Sequence, residues 1–385
     1  IYEEINHQLE IAFQYAWYNS EKFGFIRKSV VTNRAKNNVK IELLDGITNI
    51  LPCGVGYDFQ NEYSNLLNAY KKNELLAETG LGLFLLSSIP VDRAEPSESL
   101  HATSVWSFGL ANKKILLSTD QLQDFKNGSA VHTETDVKAR RGAYLVNAEL
   151  NLDSHQHQEW MIVSEINQSA KDIANLNGFL KNEKSVPELV NNDIQQGTDN
   201  LIRLVAGADG MQAGNEALSS ARHFSNTLYN IMRGGTYIDN YLVEANDFRK
   251  FVRETNRPLG KGLESTLAGL PPTITIQALL QLAEKTNNAD LVRISYEYLP
   301  LTFSRRHGDP SRPWNLFSID NKNPDGSVKS DFQGNWRDIF QNWEALSLSY
   351  PAYIESIICK FVNASTADGY NPYRLMRNGI DWESP

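Results

Sequence analysis

A change of hydrophobic period near residue 200 constrains this chain more than any other feature. Before it, the runs Gly24–Thr32, Val39–Glu42, Leu81–Ser88, Leu100–Phe108, Lys114–Ser118, Gly142–Leu150 and Trp160–Glu165 are rich in Val, Ile, Phe, Tyr and Thr. Branched and aromatic side chains pack well on a pleated surface, and turn residues such as Asn127-Gly128 separate the runs, so they read as strands. Many short strands at irregular intervals specify an antiparallel sandwich. A helix is expected over Glu62–Leu76 as an insertion, and another over Asn167–Leu180 leading out of the sheets.

After residue 200 the period becomes helical. Ala217–Met232 carries Ala221, Phe224, Leu228 and Ile231 at i, i+3, i+7 and i+10, the spacing of one buried stripe, and stops at Gly234-Gly235. Thr275–Thr286 groups Ile276, Leu279, Leu280 and Ala283, and Ala289–Tyr298 follows an Asn-Asn break. Trp336–Ser349 places Trp336, Ile339, Phe340, Trp343 and Leu346 on one face. Pro351 opens a further helix with Ile354, Ile357, Ile358 and Phe361. Helix, tight turn, helix is a hairpin, and repeated hairpins build bundles, solenoids or toroids. No internal repeat is visible, which argues against the solenoids. The expected class is therefore α+β and multidomain, with a β-sandwich over 1–165, a helical linker over 166–200 and helical hairpins over 201–385.

Net charge is −9, and an acidic surface disfavours nucleic acid and anionic membranes, which need clustered Lys and Arg. The longest apolar stretches, Leu81–Ile89 and Tyr353–Val362, fall short of the roughly 18 residues that a membrane helix needs. Two cysteines, Cys53 and Cys359, form neither a disulfide framework nor a metal pattern, which favours a reducing, cytoplasmic compartment. His155 and His157 lack further zinc ligands nearby. Asn321–Phe332 has Phe332 where a calcium loop needs its bidentate Glu and reads as a polar turn. No phosphate-cradling glycine loop occurs, so no cofactor or metal is implied.

Two polar loops lie at the ends of the hairpin helices, where function concentrates. The first, Ser304–Phe332, holds Arg305, Arg306, His307, Asp309 and Trp314. The second, Asn363–Pro385, holds Tyr370, Arg374, Asp381, Trp382 and Glu383. Among seven Trp, several fall near these loops. Aromatic faces with polar neighbours match the flat apolar faces and hydroxyl rims of sugars. Between the loops stands Gly334-Asn335-Trp336-Arg337-Asp338. Asp338 lies off the apolar stripe of its helix and is free to face a cleft, although it could equally satisfy the helix's first amides. A general acid needs its carboxyl protonated near neutral pH, which desolvation by flanking Trp residues favours and a helix N-terminus opposes.

That five-residue run resembles the Gly-Asp-Trp-Asn-Asp segment of glycoside hydrolase family 94, the cellobiose and chitobiose phosphorylases, within the six-hairpin glycosidase superfamily. Lys40–Gly46, and the passage from Arg141-Gly142-Ala143-Tyr144 through Trp160, also resemble that family's sandwich. Asn335 stands where the family has Asp, and Arg337 where it has Asn. The resemblance implies that Asp338 is the general acid and that the hairpins open an (α/α)6 toroid. It implies inverting cleavage of an oligosaccharide or glycoside. Water would be activated by a second carboxylate (Asp309, Asp381 or Glu383) or replaced by inorganic phosphate held at Arg305, Arg306 and His307. Arg305, Arg306, His307, Asp309, Trp314, Trp336, Arg337, Tyr370, Arg374, Asp381 and Trp382 would contact the substrate. A polysaccharide lyase and a non-catalytic sugar-binding protein are the other readings. Residues 201–385 hold about half the helices of a closed ring, so a second chain or a further C-terminal segment is expected to complete it.

Overall fold

The computed structural model describes residues 1–90, 98–232, 235–303, 322–323 and 327–382; the side chains of Met232, Phe303, Arg337, Asp338, Gln341, Asn342 and Ala345 fall outside it as well. It divides into two compact units, Ile1–Asp199 and Asn200–Pro385.

The first unit contains β1 (Tyr2–Asn6), β2 (Ile11–Ser20), β3 (Gly24–Asn33), β4 (Val39–Ile50), β5 (Lys71–Leu76), β6 (Leu81–Leu86), β7 (His101–Phe108), β8 (Lys114–Leu116), β9 (Asp136–Lys138), β10 (Gly142–Leu152) and β11 (His157–Ser169). Its helices are α1 (Tyr57–Ala69), α2 (Leu122–Lys126), α3 (Ala170–Asn182) and the start of α4 (Val186–Gly207). The strands form an eight-stranded sheet, β1-β2-β3-β11-β7-β6-β5-β9, and a three-stranded sheet, β4-β10-β8, both antiparallel. Phe84, Val105, Trp160 and Ile162 of the large sheet meet Tyr144, Val146 and Ala148 of the small one in a shared core. On its other face the large sheet buries Ile26, Trp106, Met161 and Val163 against α3 and α4. Burial on both faces explains why Trp160–Val163 is a continuous apolar run instead of an alternating one.

A polar tie crosses the sandwich. Asp45 of β4 accepts from Arg27 Nη1 at 2.7 and 2.6 Å, from Trp160 Nε1 at 2.7 Å and from Ser29 Oγ at 3.2 Å. Gly46 follows because a Cβ there would sit 2.1 Å from the Tyr144 carbonyl oxygen. The Asp45-Gly46 pair in the Lys40–Gly46 run thus has a packing reason of its own.

The second unit contains α5 (Ala217–Met232), β12 (Thr236–Tyr237), β13 (Leu242–Glu244), α6 (Ala245–Thr255), α7 (Arg257–Gly262), α8 (Glu264–Ala268), β14 (Thr273–Thr275), α9 (Ile276–Lys285), α10 (Ala289–Glu297) and β15 (Leu301–Phe303). It continues with β16 (Asp331–Asn335), α11 (Trp336–Ser349), a 3-10 turn (Pro351–Tyr353), α12 (Ile354–Ala364), β17 (Arg374–Met376) and β18 (Gly379–Asp381). A small sheet runs β12-β15-β16-β17-β18, with β15 and β16 parallel and the other pairs antiparallel. One core joins these elements, centred on Phe248, Phe251, Tyr298, Phe332, Trp343 and Tyr353.

The segment between β12 and β15 leaves and returns at one place. Tyr237 pairs with Leu301, and Ile238 N donates to the Pro300 carbonyl at 2.9 Å. Such adjacent ends let a segment be inserted into a fold without disturbing its frame. Meanwhile α12 is apolar on two faces. Ile357 and Ala364 are buried, while Ile354, Ile358 and Val362 are 44, 56 and 64% exposed.

The α+β class expected from the sequence is the observed one, with antiparallel sheets first and helices after. Two local expectations are corrected. Lys71–Leu76 is not the end of a helix but strand β5, whose alternate residues Lys71, Asn73 and Leu75 are buried. Asn73 reaches the Leu117 carbonyl at 3.1 Å, and the strand pairs with β6 and β9, so tertiary pairing overrides a polar, helix-tolerant composition. The loop Asn363–Pro385 carries the hairpin β17–β18, held because β16 supplies it with a third strand. No helix among the described residues is long and apolar enough to cross a membrane.

Candidate functional site

The run that opens α11 is shaped by close packing. Gly334, next to last in β16, stands opposite Leu375, and a Cβ there would lie 2.9 Å from the Ile339 side chain, which is buried one helical turn on. Asn335 pairs with Arg374 of β17 and makes no side-chain cap. Instead Trp336 N donates to the Tyr373 carbonyl at 2.9 Å, which fixes the start of the helix to the strand beside it. Arg337 and Asp338 are therefore the second and third residues of α11, in a first turn where the positive end of the helix dipole favours negative charge. Their side chains lie outside the described part.

A groove of about 970 Å³ opens at this junction. Trp336, Tyr370, Tyr373 and Trp382 supply its aromatic lining, and Asn335, Thr366, Asp368 and Asn371 its polar lining, with Pro372 between. The turn that presents Asp368 and Tyr370 is closed by Thr366, whose N donates to the Tyr370 carbonyl at 2.9 Å and whose Oγ1 accepts from Tyr370 N at 2.9 Å. Gly369 sits at φ +91°, a backbone region only glycine enters freely. Tyr370, Tyr373 and Trp382 are 68, 45 and 46% exposed, so their faces are open to a ligand. Trp336 is braced by edge-on contacts to Phe340 and Phe361 at 5.4 and 5.3 Å.

Beside the groove, Arg374 and Asp381 face each other across the hairpin at 3.3 Å. The guanidinium lies 5.8 Å from the Tyr373 ring centroid, and among the described residues Arg374 Nε finds no acceptor. Of the sequence-derived candidates, Trp336, Tyr370 and Trp382 thus share one groove, with Arg374 and Asp381 at the hairpin next to it. Arg305, Arg306, His307, Asp309, Trp314 and Glu383 lie outside the described residues. Asn335, Thr366, Asp368, Asn371, Pro372 and Tyr373 line the groove without having been singled out. For Asp368, Asn371, Pro372 and Tyr373 the signal is the dense run Asp368-Gly369-Tyr370-Asn371-Pro372-Tyr373, in which turn formers are mixed with rings; Asn335 and Thr366 lie outside it.

A concave surface that interleaves four aromatic rings with carboxyl, amide and hydroxyl groups suits a polyhydroxylated ligand. One family model bears on class, and it supports a carbohydrate-active enzyme in general. Residues 237–300 match the family described as Glycoside hydrolase family 149 insertion domain 1. The matched segment is the one whose two ends meet at β12 and β15. No curated protein matches the chain.

Proposed function

We propose that this chain belongs to an enzyme that cleaves a glycosidic bond with inversion, binding its sugar in the groove between α11 and the β17–β18 hairpin. The observation that carries the reading is the lining itself, four aromatic rings interleaved with Asp368, Asn371, Thr366 and Asn335. Asp338, two residues beyond Trp336, is the general acid. Water would be activated by a second carboxylate about 6.5–9.5 Å away, for which Asp368 is the described candidate at the groove. Arg374, at the hairpin beside the groove, would serve a substrate hydroxyl, or phosphate if phosphate takes the place of water.

The first test is a screen of glucosides and galactosides for release of sugar, with and without inorganic phosphate. Alongside it, Trp382→Ala is expected to weaken binding of the accepted sugar about tenfold, since a stacked aromatic face contributes about 1 kcal/mol beyond its buried area. Because Trp382 is half exposed, the melting temperature should hardly move. An unchanged affinity in that variant would remove the groove from the substrate site.

We read residues 201–385 as the opening hairpins of an (α/α)6 toroid, preceded by the sandwich over 1–165 and a linker over 166–200. In that reading 237–300 is an inserted segment, and α5, α11 and α12 belong to the ring. The two-sided apolar surface of α12 supports it, because a helix apolar on both faces belongs inside a protein. Further helices, from the same polypeptide or a second chain, would cover Ile354, Ile358 and Val362. Light scattering is expected to show that the 385-residue chain associates when produced alone. A stable monomer would count against the ring.

A further inference from the structure

The inserted segment touches the groove-forming hairpin through a small polar latch. Asp247, in the first turn of α6, accepts from Arg377 Nη2 at 2.6 Å and from Tyr298 Oη at 2.7 Å through the same Oδ2. Arg377 and Asn378 form the two-residue turn between β17 and β18. Arg377 is also tied by Nη1 to the Ser330 carbonyl at 2.8 Å and by its own amide to the Phe332 carbonyl at 3.0 Å. Asn378 Nδ2 donates to Glu254 Oε2, at the far end of α6, at 3.0 Å. From α12, Lys360 Nζ donates to the Arg377 carbonyl at 3.0 Å. Both turn residues are thus gripped by α6, and the hairpin runs from that grip to the groove.

At its open end the same hairpin carries the Arg374–Asp381 pair and, one residue further on each strand, Tyr373 and Trp382 of the groove wall. The span from turn to wall is three residues, or roughly 10 Å at a strand's rise. β16 adds a third strand beside β17, but β18 is the edge of the small sheet and, among the described strands, pairs with β17 alone. The tilt of the hairpin therefore depends on what holds the turn. The latch is strong enough to matter, because the side chains of Arg377 and Asp247 are only 11 and 22% exposed. Removing one partner leaves a half-desolvated charge behind.

We infer that Asp247 is a positioning residue: through Arg377 it sets where the β17–β18 hairpin places Trp382 and Tyr373, so that the inserted segment governs the shape of the groove. The inference about the latch stands on geometry alone. Its consequence for sugar affinity rests on the function proposed above.

Asp247→Asn keeps the size of the side chain and the bond from Tyr298, and removes only the ion pair. Hydrogen exchange over residues 372–382 is expected to quicken about tenfold in Asp247→Asn and in Arg377→Gln, and no further in the double variant. Exchange in α9 and in the strands of the first unit should stay at wild-type rates. Affinity for the disaccharide that wild type binds, read by tryptophan fluorescence, should fall several-fold in each single variant and by the same factor in the double. Unchanged exchange over 372–382 would overturn the inference, as would equal quickening in α9 or additive effects in the double variant. If wild type binds no sugar, the proposed function fails, and the exchange measurements still decide the latch.

Discussion

Asp338→Asn should abolish turnover while leaving the melting temperature close to that of the wild type. In the reading proposed here Asp338 is the sole general acid, and removing such a group costs at least roughly a hundredfold in rate on a substrate with a poor leaving group. Its place in the chain motivates the choice. Asn335 and Trp336 line the groove, and Asp338 follows in the first helical turn, with the start of that turn fixed by the bond from Trp336 N to the Tyr373 carbonyl. A helix N-terminus favours a carboxylate, so in this reading the acid is raised by exclusion of water once the sugar fills the groove. The same variant should therefore act normally on a glycoside whose leaving group departs without a proton. Retention of more than about a tenth of the activity on a poor leaving group, against the hundredfold loss expected of a missing general acid, would remove Asp338 from the role.

The parts of this fold that could be read in the sequence are those whose side chains repeat with one period over several turns. The stripes of α9, α10 and α11 placed each helix to within a residue or two, because one face is buried and the opposite face is wet; α5 has the expected bounds, but of its stripe Ile231 is buried while Ala221 and Phe224 are exposed. Segments whose burial depends on distant partners were harder. β5 is Lys-Lys-Asn-Glu-Leu-Leu, and nothing local shows that Lys71 and Asn73 point inward; Asn73 does so because the Leu117 carbonyl receives it. Helices α6 to α8 carry a clear stripe in Phe248, Phe251 and Val252, but Pro258, Gly260 and Gly262 interrupt it. Strands β17 and β18 are three residues each, too short for alternation to register. The groove shares that difficulty. Aromatic richness near the C-terminal end was visible, yet joining Asn335 to Tyr373 requires β16 to pair with β17, a contact between residues about forty apart.

The second large effect concerns stability. Trp343→Ala is expected to cost the second unit about 3–5 kcal/mol, the range for emptying a buried aromatic site. Trp343 is 2% exposed, and its ring meets Phe332 at 5.1 Å and Phe361 at 5.3 Å, both edge-on. It therefore links α11 to β16 and α12, the elements that frame the groove. Phe340, on the same helix and 45% exposed, makes the control: it stacks on Phe361 at 4.7 Å but keeps much of its face in water. Phe340→Ala should cost only a fraction of the Trp343 value, because a half-exposed ring loses less apolar burial and leaves no closed cavity. Two units need not unfold together, so the loss should appear in one denaturant transition and leave the other in place. Sugar affinity per folded molecule should fall more in Trp343→Ala than in Phe340→Ala, since the cavity loosens the seat of Trp336 and Asn335. If the two substitutions cost the same, Trp343 is not the keystone that its burial implies, and the framing of the groove must come from elsewhere in the small sheet.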